Sequence, residues 1–180
     1  MTLDPVIAWS LRLALSALLL AAAWHKLSDS RRFATTIRGH SLLPPMVVPG
    51  FARMLPFAEI ALGLMLLRPG AGTSSVIATA SLLTLYTLAL VVNLARGRTH
   101  IDCGCFASSE EVPIGPGIVA RNVGLVAAVF TLLLPVRART LVWIDWVSLG
   151  ATLVTLGLLW MAMQRMARTG PALRRLGGAR

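Results

Sequence analysis

The chain has 180 residues, of which 56% are hydrophobic and 13% charged, and its mean hydropathy is +0.75. Soluble domains are about one quarter charged, and a water-soluble fold of this length could not hide so much apolar surface, so a soluble globular domain is excluded. The net charge of +10 sets sixteen Arg and one Lys against seven acidic residues, and most of the cations flank apolar runs; this is how helices are anchored to anionic headgroups, and no nucleic-acid partner is expected.

The first apolar run covers residues 6–27 and is interrupted by Arg12. Ala21-Ala22-Ala23 imitates a signal-peptidase site. No cation precedes the run, however, and the run is too long for a signal peptide, so a retained span is expected. Residues 28–50 are mixed. Phe33, Ile37 and Leu42 form an apolar stripe among Arg31, Arg32 and Arg38, which predicts a short interfacial helix before the proline turn at Pro44-Pro45. A second span is expected over 51–67, a third over 73–95, a fourth over 117–136 and a fifth over 141–164. The last carries Trp143 and Trp146 near one end and Trp160 near the other, as an aromatic belt requires. The basic segment 165–180 is expected to be a flexible tail. The whole is an all-α, multi-pass transmembrane bundle and a single domain. Ala17, Gly63, Ala80, Gly124 and Gly157 would permit close helix contact.

Five spans would put Lys26, Arg31, Arg32, Arg38, Arg53, Arg96, Arg98 and the five C-terminal arginines on one side. Arg68, Arg137 and Arg139 would lie on the other. Twelve cations against three make the first side cytoplasmic, provided that the short second run truly crosses.

Few polar groups lie within the spans, and such groups are costly in lipid. Arg12 is close to a helix end and can snorkel, and Asp145 is expected at the interface. Glu59 lies mid-span and needs a basic or hydrogen-bonding partner such as Arg12, Lys26 or Arg121. Arg121 and Asn122 lie about one turn into the fourth span. Each of the three serves either as an interhelical tie or in the chemistry of a site.

The sharpest motif is Ile101-Asp102-Cys103-Gly104-Cys105-Phe106, which holds the two cysteines of the chain in a polar loop. Two thiols flanking a glycine can close a small, strained ring, and strained disulfides exchange readily. Cationic neighbours (Arg98, His100 and Arg121) would lower a thiol pKa, whereas Asp102 would raise it. Cys103 and Cys105 are therefore the candidate redox pair, with Arg121, Asn122 and Glu59 as supporting residues. The competing chemistry is metal ligation by Cys103, Cys105 and His100. A fourth protein ligand is not evident, and no metal is assigned.

The segment Trp24-His25-Lys26-Leu27-Ser28-Asp29, with Phe33, Leu42-Leu43-Pro44 and Leu55-Pro56-Phe57-Ala58-Glu59-Ile60-Ala61-Leu62-Gly63, resembles the DoxX-like membrane proteins. Asp102-Cys103-Gly104-Cys105-Phe106 followed by Arg121-Asn122 is similar to the MauE branch, the methylamine-utilisation membrane proteins. Ala107 departs from the glycine common there. The resemblance covers nearly the whole chain. It implies a four-helix DoxX-like core to which a fifth C-terminal transmembrane helix is added. It also implies residence in the inner (cell) membrane and a role in maturing methylamine dehydrogenase or in membrane thiol redox. A thioredoxin-like protein or a client would be the partner, and by analogy with other helical-bundle disulfide enzymes a quinone could take the electrons. The alternative is a non-enzymatic assembly or transport component whose cysteines are passive or bind metal. The side of the loop is contested, because the arginine count faces it to the cytoplasm whereas disulfide delivery to a secreted client needs the oxidising face.

Overall fold

A computed structural model describes residues 2–68, 72–97 and 115–177. Six helices make up almost all of it: α1 (Pro5–Ser28), α2 (Ser30–His40), α3 (Val48–Leu67), α4 (Thr73–Ala95), α5 (Pro116–Thr131) and α6 (Trp143–Gly177). The protein is thus all-α and multi-pass. By length and composition α1, α3 and α4 can cross a membrane, and α5 and the first part of α6 are shorter apolar helices. The 20 residues of α3 rise about 30 Å at 1.5 Å per residue, enough to span the hydrocarbon layer. The length on which the charge count depended is therefore present.

Local chemistry sets the helix borders. Asp4 caps α1, its side chain accepting from Val6 N at 2.9 Å ahead of Pro5, which suits a first helical position. Asp29 closes α1 and also caps α2, accepting from Arg32 N at 3.0 Å, so the chain turns a corner there without a loop. Ser41 ends α2 in the left-handed conformation, with φ of 49°. Phe33 and Ile37 of α2 turn inward onto Val48 and Ala52 of α3. Leu42 does not join that stripe: it follows the cap residue and is exposed, and Leu43 packs in its place.

α1 and α3 are the most intimate pair. Gly63 lets them approach, because a Cβ there would stand 3.2 Å from Leu20 Cγ and 3.4 Å from Ser16 O. Across the contact Ser16 Oγ donates to Gly63 O at 2.8 Å, an interhelical bond between small residues. Leu15, Leu19, Leu66, Val76, Ala80, Leu83 and Val129 fill the shared core of α1, α3, α4 and α5.

Two borders differ from the sequence expectation. α5 stops at Thr131 instead of running to Val136. The next three amides reach back only three residues, and Pro135 disfavours helix at the residue before it. The freed backbone at Pro135 and Arg137 instead pairs with Leu3 in an isolated parallel bridge, with Leu3 N to Pro135 O and Arg137 N to Leu3 O both at 2.9 Å. α6 does not end at Gln164 but runs on to Gly177, so the segment expected to be a flexible tail is helical over most of its length. Ala, Leu, Met and Arg dominate it and are strong helix formers, and cations at a helix C-terminus complement its dipole.

The ends of the elements sort onto two faces. Asp4, the turn after α5 and the start of α6 share one face, joined by the bridge and by Arg139. The ends of α2 and α4 share the other, where Asn93 Nδ2 donates to Ala89 O at 2.8 Å and lies 2.9 Å from His40 Nδ1.

Candidate functional site

Four helices converge on one buried ion pair. Lys26, near the end of α1, extends back into the bundle and donates to Glu59 Oε1 of α3. The carboxylate is fully buried and the lysine is 5% exposed. Tyr86 of α4 donates to the same Oε1 at 2.7 Å and accepts from Lys26 Nζ at 3.2 Å. The ammonium also lies 4.7 Å from the centre of the Tyr86 ring and 5.1 Å from that of Phe33 in α2. Such cation–π contacts gain strength when the cation is desolvated.

This arrangement answers the cost of burying charge. A lone carboxylate or ammonium in an apolar medium would be strongly disfavoured, so each is found with the other and with a hydroxyl. The satisfaction is lopsided. Glu59 Oε1 takes two hydrogen bonds, while Oε2 has no partner among the described residues.

Beside the triad lies a cavity of about 30 Å³, lined by Lys26, Glu59, Tyr86, Arg121 and Asn122 and walled by leucines of α1, α4 and α5. The structure therefore brings three residues singled out in the sequence, Glu59, Arg121 and Asn122, to the lining of one cavity. Asn122 is buried, and its Nδ2 donates to Ile118 O at 2.9 Å, one turn back on its own helix. Pro56, one turn before Glu59, lacks the N–H that would otherwise bond Ala52 O; neighbouring helices make such breaks tolerable in a span. Cys103 and Cys105 lie outside the described residues, as do His100 and the expected approach of Arg121 to the thiols.

Tyr86 was not singled out from the sequence. Its signal is that the only tyrosine of the chain stands in the middle of an apolar run instead of in an interfacial belt.

A second ionic cluster closes the opposite face. Arg139 bonds Asp145 through both terminal nitrogens, at 2.8 and 2.9 Å, and Asp4 through Nε and Nη2, at 3.3 and 3.2 Å. Asp145 Oδ2 also accepts from Val142 N at 2.8 Å. The Arg139 hydrogen bond holds the Asp4 carboxyl below the usual aspartate range, and the two carboxylates push the guanidinium of Arg139 upward. Arg12 rests near the Trp9 ring, 5.9 Å from its centre, at the same end of α1.

The family model for methylamine utilisation protein MauE matches residues 4–135. Among curated relatives, the MauE protein of Paracoccus versutus is 41% identical over 124 residues, covering 69% of this chain and 67% of its own length. That of Methylorubrum extorquens is 36% identical over 135 residues, covering 74% and 73%. That of Paracoccus denitrificans is 35% identical over 125 residues, covering 69% and 67%. No solved structure matches the chain.

Proposed function

Because the chain belongs to the MauE family of methylamine utilisation proteins, we propose that it serves methylamine utilisation as a membrane thiol–disulfide protein that matures a partner, methylamine dehydrogenase in the first instance. The reading rests on Cys103 and Cys105, the two cysteines of the chain, which flank Gly104 in the segment joining α4 to α5. In the productive direction a client thiolate attacks one sulfur of the Cys103–Cys105 disulfide and forms a mixed disulfide. The client's second thiolate then releases it. The client gains a disulfide, and two electrons and two protons end on the cysteine pair. Reoxidation hands them to the disulfide of a thioredoxin-like partner or to a quinone, which leaves as quinol. The bundle sits in the cell's inner membrane, with α5 and α6 crossing it like α1, α3 and α4. Arg121, early in α5, is the cation nearest in sequence on the far side of the loop and would favour the thiolate form.

A second reading is favoured by the Lys26–Glu59–Tyr86 triad. It ties α1, α3 and α4 together, with Phe33 of α2 against it, and would serve an assembly component as pure architecture.

Thiol labelling with a membrane-impermeant reagent on intact cells separates the two. Labelling of Cys103 and Cys105 that appears only after reduction, without permeabilisation, is expected for a disulfide donor to a secreted client. Free thiols that label only after permeabilisation would remove the donor reading and leave the assembly one. Serine at both positions should abolish maturation of the partner while leaving the bundle in the membrane.

A further inference from the structure

We propose that the corner between α2 and α3 is a docking surface for the anionic face of the bilayer, on which the turn of residues 42–47 enters the headgroup layer and Arg31, Arg38 and Arg53 bind lipid phosphates. Its place follows from the fold. α1 and α3 are spans, α1 ends at Ser28 and α3 begins at Val48, so α2 and the turn that join them lie where the chain leaves the hydrocarbon. The apolar stripe of α2 is not what meets the lipid, because Phe33 and Ile37 are spent on Val48 and Ala52. The turn takes that part. Met46 is 93% exposed, and Leu42, Val47 and Phe51 are exposed with it, an apolar tip left uncovered by the described residues. Such a tip suits lipid, since Pro44 and Pro45 bring no N–H and Val47 N is already bonded to Pro44 O at 3.0 Å.

Charge selects the kind of lipid. Between Asp29 and Glu59 the chain has four arginines and no acidic residue. Arg31 and Arg38, seven residues apart, share one flank of α2, and Arg53 follows Ala52 on α3; all three are exposed. Apolar burial and attraction to anionic headgroups add at such a surface. An acidic soluble partner would satisfy the arginines but would have to reach an apolar tip set at the level of the headgroups. The proposal is independent of the thiol chemistry, because none of these residues lies in the cysteine loop. It also bears on the buried triad. Phe33 of α2 faces the Lys26 ammonium at 5.1 Å, so a leaflet that grips α2 holds that ring against the ion pair.

The test uses the full chain in bilayer discs, with ¹³C in the seven methionine methyls, and Met46→Leu identifies the Met46 signal. A nitroxide carried on a lipid just below its headgroup is expected to broaden Met46, and a soluble gadolinium chelate to leave it sharp. Broadening by the chelate would put the tip in water, and broadening by neither would put it under protein; either result overturns the proposal. Selectivity is read from the motionally restricted fraction of spin-labelled phosphatidylglycerol against phosphatidylcholine. One arginine near the surface is worth about five-fold, so the parent should prefer the anionic lipid by at least about five-fold at low salt. Arg31→Gln, Arg38→Gln and Arg53→Gln together should bring the preference within about two-fold, whereas Arg137→Gln, exposed on the other face, should leave it unchanged. Raising salt from about 0.01 M to about 1 M should do to the unmodified chain what the triple variant does, with no change to its fold. No preference in the parent, a preference that survives the triple variant or high salt, or an equal loss in Arg137→Gln would each overturn the assignment.

Discussion

Replacing Lys26 by Met removes the ammonium while keeping a similar apolar stem, and leaves Glu59 Oε1 with Tyr86 as its single donor. Two accounts of the triad give different magnitudes. If it counts only as interhelical hydrogen bonds, two of them at an average of about 0.6 kcal/mol each within membranes give a loss of roughly 1 kcal/mol. If the buried charge governs, breaking the pair strands a carboxylate that the bundle cannot hydrate well, and the loss is about 3–5 kcal/mol. Glu59 is fully buried, so the second account should hold and Lys26→Met should fall in the higher range. Replacing both members together, Lys26→Met with Glu59→Leu, removes the stranded charge and should lie within about 1 kcal/mol of the parent. The assay is reversible unfolding in mixed micelles as the mole fraction of denaturing detergent rises, completed as a double-mutant cycle. A coupling energy above about 2 kcal/mol is expected between the two positions. Single losses near 1 kcal/mol that simply add in the double variant would refute the argument from buried charge.

Two further perturbations probe the packing and the second ionic cluster. Gly63→Ala forces Leu20 to yield a few tenths of an ångström and should cost about 1 kcal/mol, rising toward about 3 kcal/mol for Gly63→Val, measured by the same unfolding assay; Leu20→Ala should relieve much of the penalty, and a neutral Gly63→Val would mean that α1 and α3 do not meet here. Asp4, whose carboxyl Arg139 holds low, contributes stability that is complete above the ordinary aspartate value and is lost as pH falls through the lowered folded value. Asp4→Asn should therefore be less stable than the parent near neutral pH and converge with it on acidification, and a gap that widens in acid would show that the Arg139 contact is not what Asp4 supplies.

How far the sequence could go is visible in individual residues. Glu59 inside an apolar run announces its need for a partner, and Lys26 stood among the three basic groups within reach. Choosing between them required knowing that α1 and α3 lie side by side and in which register, a relation set by Gly63 and Ser16 that hydropathy does not record. Tyr86 escaped because an aromatic residue in a span is ordinarily packing, and its hydroxyl matters only once α4 is set beside the ion pair. The gathering of Asn122 and Arg121 with Glu59 is likewise a tertiary fact. The end of α5 was overrun because residues 132–136 are as apolar as a helix interior; the backbone at Pro135 and Arg137 pairs with Leu3, and no periodicity reports such a contact. The helical content and the order of the apolar elements were legible because lipid leaves a chain of this composition few other ways to satisfy its backbone.

The bridge from Leu3 to Val136 also sets a timetable for biosynthesis. Leu3 and Asp4 are translated before the rest of the bundle, and Arg139, which clasps Asp4, follows 135 residues after Asp4. At about 5–20 residues per second, that interval is roughly 7–27 s. For its duration the head of α1 sits in the nascent membrane without its final neighbours, and Glu59 and then Tyr86 reach the growing bundle before the latch can close. The segment matched by the family model, residues 4–135, begins and ends at this latch. A nascent chain released before Arg137 would hold every member of the buried triad and still lack the Arg137 N–H that donates to Leu3 O and the Arg139 guanidinium that holds Asp4.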